Sequence, residues 1–211
     1  MYLNTRFGSS LKRPPDEPGQ PVAAHAQGTQ GILEAVRGGA ASVEHGYEID
    51  DETIVLMKEH GTFLVPTLSS ALRVPSPEKV PPYLYQKKTL WSQIARDHLE
   101  VALSAGVKVA LGTDAGVCPH GQNLTELGHL VDLGLRPWQA LQAGTANAAE
   151  LMRLSADLGT LEQGKLADLV VTTKHPFRNI HDLAVPDSIR AVVQGGHVKK
   201  DLDEQFAPLA A

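Results

Sequence analysis

Short apolar runs alternate with longer amphipathic segments along most of this chain, a pattern typical of repeated strand–helix units. The apolar runs predict strands at 22–25, 42–45, 62–68 and 107–112. Apolar positions spaced three to four apart predict helices at 29–37, from 50 to just before Gly61, and at 82–105. Because strands that alternate with helices pair in parallel, the pattern predicts an α/β fold built on a parallel sheet.

The pattern changes at two further points, which divide the chain. Residues 1–20 are rich in Gly, Pro and Ser and predict a loop-like segment, whereas residues 21–157 carry the strand–helix units, including helices at 124–133 and from Pro137 to about 154. Residues 158–200 then predict a small β segment with strands at 169–172 and 189–193, and residues 201–211 form a tail.

Composition excludes several classes of protein. The 211 residues carry a formal net charge of −5, and they hold no basic block that would indicate a nucleic-acid partner. No apolar run approaches the roughly 20 residues that a membrane span needs, so no membrane partner is expected. Residues 1–13 lack the apolar core of a signal peptide, and the single cysteine, Cys118, allows no intrachain disulfide. These features together predict a cytoplasmic protein.

Three side chains of metal-ligand type stand at the ends of predicted strands: His25, His45 and Asp114. The carboxyl ends of parallel strands meet at one mouth of a (β/α) barrel, which is where such barrels hold their chemistry. Neutral imidazole and carboxylate groups bind zinc and similar divalent ions. Asp114 is also the candidate catalytic base for a metal-activated water, and His120, in the loop that follows, is a candidate substrate contact.

Each of these residues also has a structural interpretation. A single histidine at a strand end is more often a hydrogen-bonded structural residue than a ligand. The Thr113-Asp114 pair is typical of a helix cap as well as of a site, and His120 fits a surface loop. The coincidence of three ligand-type residues at three strand ends is what favours a metal site.

Several short segments point to one family. The chain resembles the metal-dependent amidohydrolase superfamily, in particular its imidazolonepropionase-like and Xaa-Pro-dipeptidase-like branch. The segments that carry the resemblance are AHAQG (24–28), SVEHG (42–46), LVPTL (64–68), LGTDAG (111–116), PHGQN (119–123), TANAAE (145–150) and LGTLEQGKLADL (158–169). The resemblance extends over about residues 21–200.

The resemblance implies a fold, a reaction and a role for each candidate residue. It implies the C-terminal half of a TIM-type (β/α)8 barrel, strands five to eight, followed by a small β-sandwich segment. His25 and His45 correspond to the metal ligands after strands five and six, and Asp114 to the strand-eight aspartate that contacts metal and moves the proton. The implied reaction is hydrolysis of a carbon–nitrogen bond in an amide, a cyclic amide, an N-acyl amino acid or a dipeptide.

The chain also departs from the family pattern. It contains no His-x-His pair, no position matches the lysine that often bridges two metals, and Gln27 stands where many relatives carry a histidine. The resemblance therefore predicts one or two divalent metals, zinc above all, held with help from a missing N-terminal half or in a homo-oligomer. The alternatives are a catalytically inactive fragment, a structural partner subunit, or a deaminase on the same barrel.

Overall fold

The structure, a computed structural model, describes residues 21–204, so the predicted loop-like segment 1–20 and the tail beyond residue 204 lie outside the described part. The strands are β1 (Ala23–Ala26), β2 (Ser42–His45), β3 (Phe63–Val65), β4 (Leu169–Thr172), β5 (Ile189–Gln194) and β6 (His197–Asp201). The α-helices are α1 (Thr29–Arg37), α2 (Asp51–His60), α3 (Leu68–Ala71), α4 (Pro82–Ser104), α5 (Thr125–Asp132), α6 (Pro137–Ala143) and α7 (Ala146–Leu151). Short 3-10 helices cover Pro77–Lys79, Ile180–Ala184 and Pro186–Ser188.

The first sheet is parallel, with the order β1-β2-β3, as the strand–helix alternation predicted. The predicted strand at 107–112 is wrong as a full strand: it contacts β3 only through a bridge between Leu64 and Val109. The reason lies on its other side. The Leu111 amide donates to the carbonyl of Ala143 at 2.9 Å, and the Asn147 side chain donates to the carbonyl of Val109 at 2.9 Å. The end of α6 and the start of α7 thus supply hydrogen-bond partners on the side of this segment that faces away from β3.

The two faces of this sheet are buried unequally. One face packs Val43, Leu64 and Val109 into the main hydrophobic cluster, which the surrounding helices complete. The other face carries a separate, smaller cluster of Phe63, Val65 and Ala110. Burial of the first face supplies most of the apolar stabilisation, because stabilisation scales with the apolar area removed from water.

The chain turns sharply where β3 ends. Pro66 cannot donate to a central ladder, and Thr67 adopts the left-handed conformation with φ of 48° before α3 begins. The predicted strand at 62–68 therefore stops at Val65, and the apolar pattern missed α3. Glu126 on α5, which is fully buried, holds this turn.

The Glu126 carboxylate accepts three hydrogen bonds from the start of α3. They come from the Leu68 amide at 2.5 Å, the Ser69 amide at 2.8 Å and the Ser69 hydroxyl at 2.6 Å. The carboxylate thus supplies acceptors for amides that a helix start leaves without partners. Burial raises the pKa of the Glu126 carboxyl, and the hydrogen bonds from Ser69 and Leu68 oppose that rise.

The second sheet is antiparallel, with the order β4-β5-β6. Its strands β4 and β5 were predicted, but β6 was not, because its sequence HVKKD is polar and the strand is mostly part-exposed. Ile180, Leu183 and Ile189 from this C-terminal region join the main hydrophobic cluster. Across residues 21–204, no helix has the length and apolar character to cross a bilayer.

Gly46→Ala is expected to destabilise the protein by about 3 kcal/mol, because two penalties add. Gly46 has a φ of +64°, and an added Cβ would lie 2.6 Å from Cδ1 of the buried Leu64. Gly39→Ala is the matched control: its φ is +81°, but nothing lies within 4 Å of the added Cβ. We expect this control to lower the free energy of unfolding by only about 1 kcal/mol. Urea denaturation of both variants measures the loss. Equal losses in the two variants would contradict the crowding at Gly46.

Glu126→Gln is expected to change how stability depends on pH. Because the folded state raises the pKa of this carboxyl above its ordinary value of 4.5, the folded protein binds that proton more tightly than the unfolded chain. Wild-type stability should therefore fall as pH rises from 4.5 through the raised pKa. Glutamine does not titrate, so the free energy of unfolding of the wild type minus that of the variant should decrease with pH. A difference that grows with pH would contradict the prediction.

Candidate metal and active site

Two of the predicted site residues meet at the ends of neighbouring strands. His25 lies on β1 and His45 ends β2, and the two strands pair in parallel with Ala26 opposite His45. Nε2 of His45 lies 2.9 Å from Nδ1 of His25, and the two ring centroids are 4.5 Å apart at an angle of 75°. The sequence prediction that these histidines converge is what the structure shows.

An unusual backbone conformation helps to bring them together. His45, Thr67 and Asp114 all have positive φ, at 75°, 48° and 56°, although none of them is glycine. Such conformations cost of order 1–3 kcal/mol each and gather at functional sites. His45 is the last residue of β2, Thr67 lies two residues after β3, and Asp114 follows the 107–111 segment, so the strain is concentrated at one end of the sheet.

His45 is held in a fixed orientation. Its side chain is buried, and its Nδ1 lies 2.7 Å from the Thr67 hydroxyl and 3.3 Å from the Tyr47 hydroxyl. The Tyr47 and Thr67 hydroxyls are also 3.2 Å apart. Because these hydroxyls engage Nδ1, Nε2 is left to face His25.

Electrostatics favour the neutral form of His45. Burial lowers its pKa most, the neighbouring His25 lowers it further, and the Asp114 carboxylate opposes both. Neutral imidazole is the form that binds a metal ion. The site therefore holds its buried histidine in the protonation state that ligation requires.

Asp114 is less closely placed than the two histidines. It is exposed, and its carboxylate acts on His45 through charge. Among residues 21–204, no three His, Cys, Asp or Glu side chains lie close enough together to form a metal-binding cluster. The structure thus assembles the histidine pair and leaves Asp114 at the margin of the site.

His120 stays a prediction. It is exposed on the loop after Asp114, and no contact within the described part of the chain ties it to His25 or His45. The neighbouring Cys118 is buried, and its thiol lies 3.1 Å from the Thr113 carbonyl, as expected for a structural cysteine.

Strict alternation along β2 places Glu44 on the strand face away from His45, so the sequence pattern does not single it out as a site residue. The register pairs Glu44 with His25, and the two side chains therefore share a face of the sheet. The Ser42 hydroxyl donates to Glu44 at 2.6 Å. Burial raises the pKa of Glu44, while the Ser42 bond and the His25 charge lower it. Strict alternation misleads here because the positive φ of His45 breaks the extended conformation.

The histidine pair supplies donors of the type that a divalent metal ion binds. Two imidazole nitrogens converge within 2.9 Å, one imidazole is buried and favoured as neutral, and carboxylates stand near both rings. Nitrogen and carboxylate oxygen are the donors that zinc binds besides thiolate. In metal sites, the ring nitrogen that does not bind the metal is held by a hydrogen-bond partner, which fixes the ring. Thr67 is placed to do this for His45.

Comparison with known proteins places this arrangement in a family. Residues 16–199 match the model of the amidohydrolase family. Ochratoxinase from Aspergillus niger is 33% identical over 184 residues, which cover 85% of this chain and 38% of that enzyme. Imidazolonepropionase from Symbiobacterium thermophilum is 32% identical over 136 residues, or 63% of this chain and 28% of that protein.

Solved structures agree. A Xaa-Pro dipeptidase with methionine bound in its active site superimposes with a TM-score of 0.78 at 35% identity, over 85% of this chain and 45% of that one. The chain thus spans less than half the length of these relatives. The family match covers most of the sequence, including His25, His45 and Asp114, and the chain belongs to the amidohydrolase family.

Proposed function

We propose that this chain forms part of a hydrolase that cleaves carbon–nitrogen bonds in amides, cyclic amides, N-acyl amino acids or dipeptides. The observation that carries the proposal is the His25–His45 pair, 2.9 Å apart at adjacent strand ends, in a chain of the amidohydrolase family. Its relatives include an ochratoxinase and a Xaa-Pro dipeptidase, and these names support cleavage of a carbon–nitrogen bond.

The proposal includes an architecture. Residues 21–157 correspond to strands five to eight of a TIM-type (β/α)8 barrel, and residues 158–200 to a β-sandwich segment. The parallel order β1-β2-β3, extended by the bridge to Val109, supports the first part, and the antiparallel sheet β4-β5-β6 supports the second. A complementary segment or a second copy of the chain would then complete the wall of the site.

Each site residue has a proposed role. His25 and His45 would hold a divalent metal, zinc above all, with Asp114 as a further ligand. When bound, such an ion makes a water molecule acidic enough to attack at neutral pH. Thr67 and Tyr47 hold the His45 ring in place. Asp114 would accept the proton of the attacking water and pass it to the leaving amine, and His120 would contact the substrate.

A second candidate is a non-catalytic remnant or structural subunit. It is favoured by one observation: the described residues assemble two ligands, not the three that a catalytic zinc site uses. A deaminase is the third candidate, since it also breaks a carbon–nitrogen bond. Release of ammonia from an aminated heterocycle, without hydrolysis of amides, would identify it.

His45→Ala is expected to abolish both stoichiometric zinc and amide hydrolysis, because it removes the most firmly held ligand. Two measurements check this on the protein as isolated from its source cells. Mass spectrometry measures the metal content, and turnover is measured on N-acetyl amino acids and dipeptides. His197→Ala, an exposed histidine on β6, is the control and should leave both unchanged. Unchanged activity in His45→Ala would refute the hydrolase, and a metal-free, inactive wild type would favour the structural subunit.

Thr67→Val is expected to weaken zinc binding by at least about tenfold, because it removes the hydroxyl 2.7 Å from Nδ1 of His45. Valine keeps the β-branched shape, so the backbone strain at this position is unchanged. Thr53→Val is the control, since Thr53 is likewise buried but lies on α2 rather than beside His45. Competition with a chromophoric chelator measures the affinity, and equal affinities in the two variants would show that Thr67 does not position His45.

A further inference from the structure

A cavity of about 370 Å³ adjoins the histidine site. It is lined by Gln27, Tyr47, Ser70, Ala71, Leu84, Lys87, Lys88 and Trp91. These residues directly follow β1, lie just after β2, belong to α3, or lie on α4. The volume is in the range of small-molecule sites, which run from about 300 to 1,000 Å³.

Tyr47 is the wall that the cavity shares with the histidine site. Its ring lines the cavity, and its hydroxyl lies 3.3 Å from Nδ1 of His45 and 3.2 Å from the Thr67 hydroxyl. Gln27 lines the same space two residues after His25. A ligand in the cavity would therefore lie one side chain away from the His25–His45 pair.

Lys88 gives the cavity an uncompensated positive charge. Its ammonium group is half-buried and donates to the Ser70 carbonyl at 3.0 Å. Within residues 21–204, no carboxylate lies within ion-pair distance of Lys88 or of its neighbour Lys87. Burial lowers the pKa of Lys88, as expected for a cation removed from water without a partner. An ammonium has three N–H donors, so donors remain for an anion.

Part of the lining is apolar. Trp91 and Leu84 follow each other at helical spacing on α4 and present an aromatic ring and a branched side chain to the cavity. A large aromatic side chain offers a broad surface to an apolar group of similar shape. The cavity thus combines one anion contact with one apolar wall.

We propose that this cavity is a binding subsite for a small carboxylate ligand that carries a flat apolar group. Lys88, assisted by Lys87, receives the carboxylate, and Trp91 with Leu84 receives the apolar group. The assignment of this ligand as the acidic part of the substrate rests on the proposed function. The binding itself does not, because it requires neither a metal ion nor turnover.

The test compares 3-phenylpropanoate with its neutral counterpart 3-phenylpropanamide. Both are titrated into the full chain with EDTA present, so that no metal ion contributes, and Trp91 fluorescence reports binding in a Trp138→Phe background. We expect the carboxylate to bind at least about tenfold more tightly than the amide, with an affinity that falls as salt is raised. Acetate, which lacks the apolar group, should bind more weakly than 3-phenylpropanoate.

Lys88→Gln should reduce carboxylate affinity about tenfold and leave the weaker amide binding unchanged. Lys58→Gln is the matched control, because Lys58 also donates to a single backbone carbonyl, that of Ala105 at 2.7 Å, but lies outside the cavity. Circular dichroism verifies that both variants are folded. Equal affinity for carboxylate and amide, absence of binding by either, or an equal loss in Lys58→Gln would overturn the subsite. Carboxylate binding by a protein that hydrolyses no amide would refute the proposed reaction and leave the subsite intact.

Discussion

The site depends on one buried interaction, the carboxylate of Glu126 against the start of α3. Leu68 and Ser69, which donate to it, directly follow Thr67, and Thr67 contacts the Nδ1 atom of His45. A side chain on α5 therefore fixes the turn after β3, and the turn fixes a histidine on β2. A buried carboxylate is costly unless its acceptor capacity is used. Three donors use it here, which makes the position of this turn well determined.

The same end of the sheet concentrates backbone strain. His45, Thr67 and Asp114 are held in a conformation that side-chain-bearing residues rarely adopt. The burial of Val43, Leu64 and Val109 on the opposite side of the strands opposes that cost. Burial of the apolar face thus offsets the backbone strain at His45, Thr67 and Asp114, as expected where a fold carries a functional site.

The periodicity of the sequence was enough to predict the first three strands, the helices that separate them and the proximity of His25 to His45. Those features follow from repeating local patterns and from the rule that parallel strands share one end. The periodicity did not predict α3, the hydroxyl contacts of Thr67 and Tyr47, or the placement of Glu44. Each of these depends on a non-repeating φ angle or on a partner distant in the chain. The region 107–112 misled for a different reason: its apolar run is strand-like, but it pairs with β3 at Val109 alone, and its other side bonds to Asn147 and Ala143.

That occupied side makes the two margins of the first sheet unequal. At β1, the carbonyls of Val22 and Ala26 accept bonds from the β2 side, so the intervening amides of Ala23 and His25 point outward, where no strand of the described chain lies. The β1 margin of the sheet is thus free to pair with a further strand. Any strand added there would lie beside His25, so enlargement of the sheet and enclosure of the histidine pair would be a single assembly event.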